Sequence, residues 1–112
     1  ASGATIGRFP GGTPSDYWRW DTGWATDLTQ TDIRPATPAT WAAYARISGT
    51  EHTIFDTNQL TMNLSYAIEG LKAHQAAGSA IRYVELGNEM YDGSRADVVA
   101  AYSTGAEYAA KM

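Results

Sequence analysis

Cysteine is absent from this chain, and lysine is scarce, with Lys72 and Lys111 as its two occurrences. Without cysteine the chain can form neither a disulfide bond nor a thiolate metal site. The formal net charge is -4 at pH 7, and the arginines are scattered along the sequence. This pattern offers no basic face of the kind that binds nucleic acid or an anionic membrane surface, so we expect neither as a partner.

A long apolar run and a histidine cluster are also missing. No stretch approaches the length of a membrane span. The two histidines, His52 and His74, have neither a second histidine nor a carboxylate at ligand spacing, so the sequence predicts no metal and no cofactor. The chain shows no signal peptide and begins with Ala1, which leaves its localisation open, and secretion is compatible with the lack of cysteine.

Apolar and aromatic residues, by contrast, are plentiful. Of the 112 residues, 44% are hydrophobic, and the chain has four tryptophans and seven tyrosines. This is the composition of a globular protein with one core. We therefore expect residues 1–112 to fold as a single domain.

The hydrophobic pattern predicts strands that alternate with helices. Three strands are predicted, at residues 4–9, 52–57 and 81–86. Three helices are predicted, at residues 39–47, 59–76 and 95–112. Pro38 and Gly49 mark the ends of the first helix, and Ser94 or Asp97 is expected to cap the last one. The order β-α-β-α-β-α indicates an α/β fold with parallel strands, because a helix supplies the long connection that parallel neighbours require.

In such a sheet the reactive groups belong at the carboxyl ends of the strands. These ends hold residues 8–12, 56–58 and 87–91, which we expect to meet at one rim. Alternation along the third strand places Glu85 on the same face as Tyr83. A buried Glu85 requires a cation, for which Arg8 on the first strand is the candidate; a surface salt bridge or a solvated Glu85 is the alternative.

The third strand runs into the sequence Tyr-Val-Glu-Leu-Gly-Asn-Glu-Met-Tyr at residues 83–91. Gly87 allows the backbone to turn without a side chain in the way, and Asn88 and Glu89 then follow at the end of the strand. A carboxyl mounted in this way is typical of a carbohydrate-cleaving acid. The alternative is an ordinary strand-to-helix turn in which Glu89 is merely solvated.

A second segment, Arg-Phe-Pro-Gly-Gly-Thr-Pro-Ser-Asp-Tyr-Trp-Arg-Trp at residues 8–20, combines an arginine, two adjacent glycines and three aromatic rings. Such rings can form a platform on which the apolar faces of sugars stack, while Asp16, Asn58 and Asn88 supply polar partners for sugar hydroxyls. The alternative is a loop that folds back and buries its three aromatic rings, Tyr17, Trp18 and Trp20, in the core.

Together these two segments resemble the (β/α)8-barrel retaining glycoside hydrolases whose catalytic acid follows an Asn on the fourth strand. The closest resemblance is to the heparanase and β-glucuronidase-like group, with the α-L-arabinofuranosidase-like group second. It extends from about Ile6 to Tyr102 and implies a partial TIM barrel, with strands two to four of eight. A complete barrel takes about 250 residues, more than this chain provides.

The resemblance also implies roles for individual residues. Glu89 is the expected general acid/base, and Asn88 is expected to bind the sugar hydroxyl beside the anomeric carbon. Arg8 is expected near the carboxylates, and a substrate cleft is expected to be lined by Tyr17, Trp18 and Tyr91. Asp16 and Asn58 complete the predicted substrate-binding set.

The family places its nucleophilic glutamate on strand seven, whereas the resemblance covers only strands two to four in this chain. Asp56 and Asp92 are the nearby carboxylates, and neither fits the family pattern. We therefore expect a fragment of a retaining glycoside hydrolase with little or no activity of its own. The alternatives are a carbohydrate-binding module and an α/β module that self-associates through exposed sheet edges. The sequence does not identify the sugar. Recognition of a uronic acid would need a cation or backbone donors, and the positions of the available arginines, Arg19, Arg34 and Arg95, cannot be predicted.

Overall fold

The computed structural model describes residues 3–25 and 36–112. The described residues form three strands: β1 (Ile6–Phe9), β2 (His52–Asp56) and β3 (Ile81–Glu85). They also form four α-helices, α1 (Pro38–Ser48), α2 (Leu64–Ala76), α3 (Ala96–Ala101) and α4 (Gly105–Lys111), and one turn of 3-10 helix (Thr13–Asp16).

The three strands make one parallel sheet in the order β1-β2-β3. Arg8 is paired with Ile54, which is paired in turn with Tyr83, and Asp56 is paired with Glu85. The predicted α/β fold with parallel strands is confirmed. Because the three strands are parallel, their carboxyl ends lie at one edge of the sheet.

Helices α1 and α2 cover one face of this sheet. A Cβ added to Gly7 would lie 2.8 Å from the Trp41 ring of α1, and the Trp41 indole donates a 2.8 Å hydrogen bond to the Thr53 hydroxyl. Gly70 of α2 is similarly close to Phe55. By the alternation of strands, Arg8 and its row therefore face the opposite side, which these two helices leave uncovered.

The core lies between this sheet and the helices. Phe9, Trp18 and Phe55 are its buried residues, with ring centroids 5.1 Å apart for Phe9 and Trp18 and 6.2 Å apart for Trp18 and Phe55. His74 of α2 is fully buried among the same rings, 4.7 Å from the Phe55 centroid. Burial lowers the pKa of His74 to about 4, so this histidine is neutral.

The first helix agrees with its sequence signals. Thr37 and Thr40 form a reciprocal capping box at its start, Pro38 occupies the first turn, and Gly49 ends it in a left-handed conformation. The second helix begins at Leu64, five residues later than predicted, after an Asn63 cap. The preceding residues 57–59 are buried polar side chains, so they belong to a hydrogen-bonded loop and the predicted start at residue 59 was wrong.

The predicted last helix, residues 95–112, is broken into α3 and α4. Tyr102 has an extended backbone, and its hydroxyl donates to the Gln59 carbonyl, so a distant contact interrupts the helix. Thr104 then caps α4. At the start of α3 the cap position is Arg95, without a side-chain capping bond, so the prediction of a cap by Ser94 or Asp97 was wrong.

Along residues 3–25 and 36–112, none of the helices is long and apolar enough to cross a membrane. Within the same ranges, no group of three or more histidine, aspartate or glutamate side chains is arranged to hold a metal ion.

Candidate active site at the carboxyl end of the sheet

Arg8 connects the ends of all three strands. Its Nε and Nη2 donate to the two carboxylate oxygens of Glu85 at 2.6 and 2.8 Å, so Arg8 is the partner of Glu85 as predicted. The two side chains are 35% and 40% exposed, so the pair is the surface salt bridge of the alternative and not a buried pair. The same Nη2 lies 2.9 Å from Asp56 Oδ2 and 3.0 Å from Asn88 Oδ1. This bidentate geometry fixes the arginine firmly, because two parallel charge-assisted bonds determine its orientation.

Asp56 lies under this arginine at the end of β2 and is fully buried. Its Oδ2 accepts a 2.7 Å hydrogen bond from the Ser15 hydroxyl, whereas its Oδ1 is buried without a partner. Burial raises the pKa of Asp56 to about 7, against the opposing effects of Ser15 and Arg8. Asp56 is therefore an enclosed group that titrates near neutrality and not a carboxylate open to a ligand.

Asn88 is held from two sides just beyond β3. Its side-chain Oδ1 accepts from Arg8, and its backbone N–H donates to Asp16 Oδ1 at 3.1 Å. The residue is buried, with 6% of its surface exposed. Among the described residues, its Nδ2 amide has no hydrogen-bond partner, so that donor is left for another group.

Asp16 belongs to a polar cluster behind Asn88. The carboxylate is fully buried, and its Oδ2 lies 2.7 Å from Arg95 Nη1. Arg95 also donates to the Tyr17 hydroxyl at 3.2 Å, and Tyr17 donates to Asp97. Burial raises the pKa of Asp16, and the hydrogen bonds from Arg95 and Asn88 oppose that shift. This cluster ties the 3-10 turn to the start of α3.

Glu89 follows Asn88 and is exposed. Its backbone is left-handed, with φ of 53°, and Gly87 before it is also left-handed, with φ of 86°. A non-glycine residue in this region stores strain of about 1 to 3 kcal/mol, which must be held by its surroundings. Here the surroundings are the bonds that fix Asn88.

A cleft of about 460 Å³ opens beside Glu89, between the loop after β3 and helices α3 and α4. Its walls include three carboxyl groups and three aromatic rings, together with small and aliphatic residues; the acidic and aromatic members are Glu85, Glu89, Asp92, Tyr91, Tyr102 and Tyr108. Tyr91 stands at the mouth with 85% of its surface exposed. The cleft thus joins acid groups to ring faces in one accessible volume.

The predicted site residues divide into two groups. Glu89 and Tyr91 line the cleft, and Arg8, Asn88 and Asp16 lie together behind them as a hydrogen-bonded support. The meeting of the strand ends at one rim is therefore confirmed. Asp16 is fully buried, however, so its prediction as a group that contacts substrate is corrected to a supporting position.

Trp18 and Asn58 are also corrected. Trp18 has 4% of its surface exposed, packs in the core and donates through its indole to the Ala36 carbonyl, so it offers no ring face to a sugar. The Asn58 amide donates to the Trp18 carbonyl at 3.0 Å and to Thr61 at 2.7 Å, which occupies both of its hydrogens. Both residues hold the loop of residues 8–20 onto the core, as the alternative reading expected.

The remaining candidates are placed as follows. Tyr17 is partly buried within the Arg95 cluster and does not line the cleft. Arg19 pairs with the neighbouring Asp21 at 2.9 Å. Arg34 lies outside the described residues. Asp92 accepts from the backbone and hydroxyl of Ser94, and these hydrogen bonds lower the pKa of Asp92.

Sequence reasoning missed the two tyrosines on the far wall of the cleft. Tyr102 and Tyr108 pack edge to face, with ring centroids 5.4 Å apart, and the Tyr108 hydroxyl donates to the Leu86 carbonyl. A continuous helix would have separated these residues, so the signal that could have found them was the break at Thr104-Gly105. Capping residues at that position indicate a new helix start.

Comparison with protein-family models, with curated proteins and with solved structures found no match to this chain. The function proposed for it therefore depends on its own residues.

Proposed function

We propose that this chain is part of a retaining glycoside hydrolase of the (β/α)8-barrel type and that Glu89 is its general acid/base. One observation carries the proposal. Asn88 is fixed by Arg8 and Asp16, whereas the neighbouring Glu89 is exposed in a cleft at the carboxyl end of β3. Glycosidic cleavage requires an accessible carboxyl as its acid, and in the glycoside hydrolases that this chain resembles that acid follows an Asn.

The chemistry assigns the two residues separate tasks. Glu89 donates a proton to the leaving oxygen and then, once ionised, activates water. Asn88, which is 6% exposed and lies behind the cleft wall, holds the turn that presents Glu89 through its bonds with Arg8 and Asp16, and this supporting role replaces its predicted contact with a sugar hydroxyl. The left-handed backbone at Glu89 supports the role of Glu89, because such strain is concentrated at functional sites.

The sheet supports the partial barrel. Parallel strands in sequential order, with helices α1 and α2 on one face, form the repeating unit of a TIM barrel. In that arrangement the uncovered face, with Arg8 and Glu85, is the barrel interior. The three strands then correspond to strands two to four of the eight.

The nucleophile is proposed to lie outside these 112 residues. Retaining enzymes place the second carboxyl about 5 to 5.5 Å from the first and require it to reach the sugar. Asp56 is fully buried, and Asp92 is occupied in the turn with Ser94. We therefore expect the chain alone to bind a glycan and to show little or no turnover.

The test is hydrolysis of a panel of nitrophenyl glycosides by the chain and by Glu89 variants. Any turnover should be lost in Glu89→Gln, because an amide can neither donate a proton to the leaving oxygen nor activate water. Glu51→Gln is the matched control, since Glu51 is exposed and precedes the amino end of β2. Turnover that persists in Glu89→Gln contradicts the assignment of the acid.

A second candidate is a non-catalytic module that binds carbohydrate or associates with itself. The observation in its favour is the uncovered sheet face, where Ile6 is 45% and Tyr83 is 52% exposed. Among the described residues, the outer edges of β1 and β3 also have no strand paired to them. Glycan binding that is equal in wild type and Glu89→Gln supports the binding module, and a dimer by light scattering without glycan binding supports self-association.

A further inference from the structure

We propose that Asn63 is an acceptor site for N-linked glycosylation. Residues 63–65 read Asn-Leu-Ser, which is the acceptor pattern of this modification: an asparagine, any residue other than proline, and a serine or threonine. The other two asparagines, Asn58 and Asn88, are followed two positions later by leucine and methionine, so neither fits the pattern. The inference goes beyond the proposed function and does not depend on the role of Glu89.

The acceptor tripeptide lies at the surface of the protein. Asn63 and Ser65 are both exposed, where the loop after β2 enters the first turn of α2. Asn58 and Asn88, by contrast, are buried, with 4% and 6% of their surfaces exposed. An attached glycan is bulky and hydrated, so it requires a surface position. Burial and sequence therefore select the same asparagine.

The side chain of Asn63 uses its oxygen for the fold and leaves its nitrogen free. Its Oδ1 accepts a 2.9 Å hydrogen bond from the Tyr66 backbone N–H and so caps α2. Among the described residues, its Nδ2 amide has no hydrogen-bond partner. Glycosylation takes place on Nδ2 and leaves the carbonyl oxygen unchanged. The modified residue therefore continues to cap the helix.

An open groove of about 500 Å³ lies beside the acceptor. Its lining residues come from the end of the loop after β2 and from the first part of α2: Thr61, Met62, Asn63, Ser65, Tyr66 and Glu69. This groove shares no lining residue with the cleft beside Glu89. Space for the first sugar is therefore present next to Asn63, outside the candidate active site.

The reaction transfers an oligosaccharide from a lipid-linked diphosphate donor, and the membrane-bound transferase of the secretory pathway catalyses it. A bond forms between Asn63 Nδ2 and C1 of the first sugar, and Nδ2 loses one proton. The bond from C1 to the diphosphate oxygen breaks, and the lipid diphosphate leaves with the electron pair. The Ser65 hydroxyl is the second element of the pattern, and within the described part of the chain it has no hydrogen-bond partner that would occupy it.

The experiment is expression of the 112-residue chain behind a cleavable signal peptide in a eukaryotic cell line, followed by digestion with peptide N-glycosidase. We expect a band of lower mobility that the digestion removes. Because this enzyme converts the glycosylated asparagine to aspartate, mass spectrometry should then find aspartate at position 63. A secreted wild-type chain without a glycan overturns the inference.

The matched variants are Asn63→Asp, Ser65→Ala and Ser65→Thr. The glycan should be lost in Asn63→Asp, where a carboxylate still caps α2 but the acceptor nitrogen is absent. It should also be lost in Ser65→Ala and be retained in Ser65→Thr, which keeps the hydroxyl. A glycan that persists in Asn63→Asp is attached elsewhere and overturns the inference.

A second measurement tests whether the folded protein accommodates the modification. The glycosylated chain and the unglycosylated chain from bacterial expression should unfold at the same urea concentration, because Oδ1 of Asn63 caps α2 in both. A lower midpoint for the glycosylated chain would mean that the glycan disturbs the start of α2, which overturns the assignment of Asn63 as a site that the fold leaves open.

Discussion

Two loops at the same edge of the sheet have opposite environments. In the loop of residues 8–20, Ser15, Asp16 and Trp18 are buried and hydrogen-bonded to distant parts of the chain. In the loop of residues 87–93, Glu89 and Tyr91 are exposed and border a cleft. The first loop forms a buried support and the second presents exposed side chains to the cleft, although both are rich in polar and aromatic residues.

The difference arises from the partners that each loop finds. The first loop meets Arg95, Asp56 and Asn88, which satisfy its polar atoms, and the rings of the core, which take its tryptophan. A side chain that is matched in this way has nothing left to offer a ligand. Polar groups near a strand end therefore indicate where a site lies, and their pairing decides which of them can act there.

The largest expected contrast is between Trp18→Ala and Tyr91→Ala. Loss of the buried Trp18 ring should lower the free energy of unfolding by about 3 to 5 kcal/mol, because it leaves a cavity among Phe9 and Phe55. Loss of the exposed Tyr91 ring should change it by less than about 0.5 kcal/mol. Urea denaturation measures both, and similar losses in the two variants would remove the distinction between support and site.

The buried environment of Asp56, beneath the first loop, can be tested through the pH dependence of the free energy of unfolding. The folded pKa of about 7 lies above the ordinary 3.8, so between these values the folded chain holds a proton that the unfolded chain has lost. Stability from this group is present below 3.8 and is lost as the pH rises through 7. Relative to wild type, Asp56→Asn should gain on the order of 4 kcal/mol across that window. A difference between the two proteins that is constant with pH would contradict a buried, raised Asp56.

His74 should change the free energy of unfolding with pH in the opposite direction to Asp56. Its folded pKa of about 4 lies below the ordinary 6.5, so between these values the unfolded chain binds a proton that the folded chain does not. Stability from this group is present above 6.5 and is lost as the pH falls toward 4. Relative to wild type, His74→Leu should gain up to about 3 kcal/mol on acidification. Denaturation curves over this pH range measure the gain, and its absence would show that His74 is not enclosed by Phe9, Trp18 and Phe55.

The smallest effect concerns the exposed loop and is a stabilisation. Glu89→Gly should raise the free energy of unfolding by about 0.5 to 1 kcal/mol, because glycine adopts the left-handed backbone at this position with less strain. Ala100→Gly in α3 is the control and should lower it by about 1 kcal/mol. A loss of stability in Glu89→Gly would mean that Glu89 supports the fold, as the first loop does.

Local signals predicted the parts of the fold that depend on few neighbours. The ends of α1 follow from Thr37, Pro38 and Gly49, whose effects act within one turn. The Arg8–Glu85 pair followed from strand alternation and parallel order, although Arg8 reaches across β2 to make it. Both features could be predicted from the sequence, because capping residues determine the helix ends, and the alternation and order of the strands determine the pair.

The features that were missed depend on contacts between distant residues. The break between α3 and α4 accompanies the bond from Tyr102 to the Gln59 carbonyl, 43 residues earlier, which no local pattern encodes. The burial of Trp18 was open for a related reason. An aromatic ring beside a strand end has the same sequence signature whether it packs on Phe55 or faces a ligand.

The sheet face that α1 and α2 leave open changes character from one end to the other. Ile6 lies at the beginning of β1, Ile54 and Tyr83 lie level with Arg8, and Glu85, the ion-pair partner of Arg8, lies at the end of β3. Any polypeptide that packs on this face must match the change in polarity along the strands. It must be apolar at the end near Ile6 and polar at the end near Glu85. A uniformly apolar cover would bury the ion pair of Arg8 and Glu85 away from water, whereas a cover that is polar at one end leaves water beside Glu89.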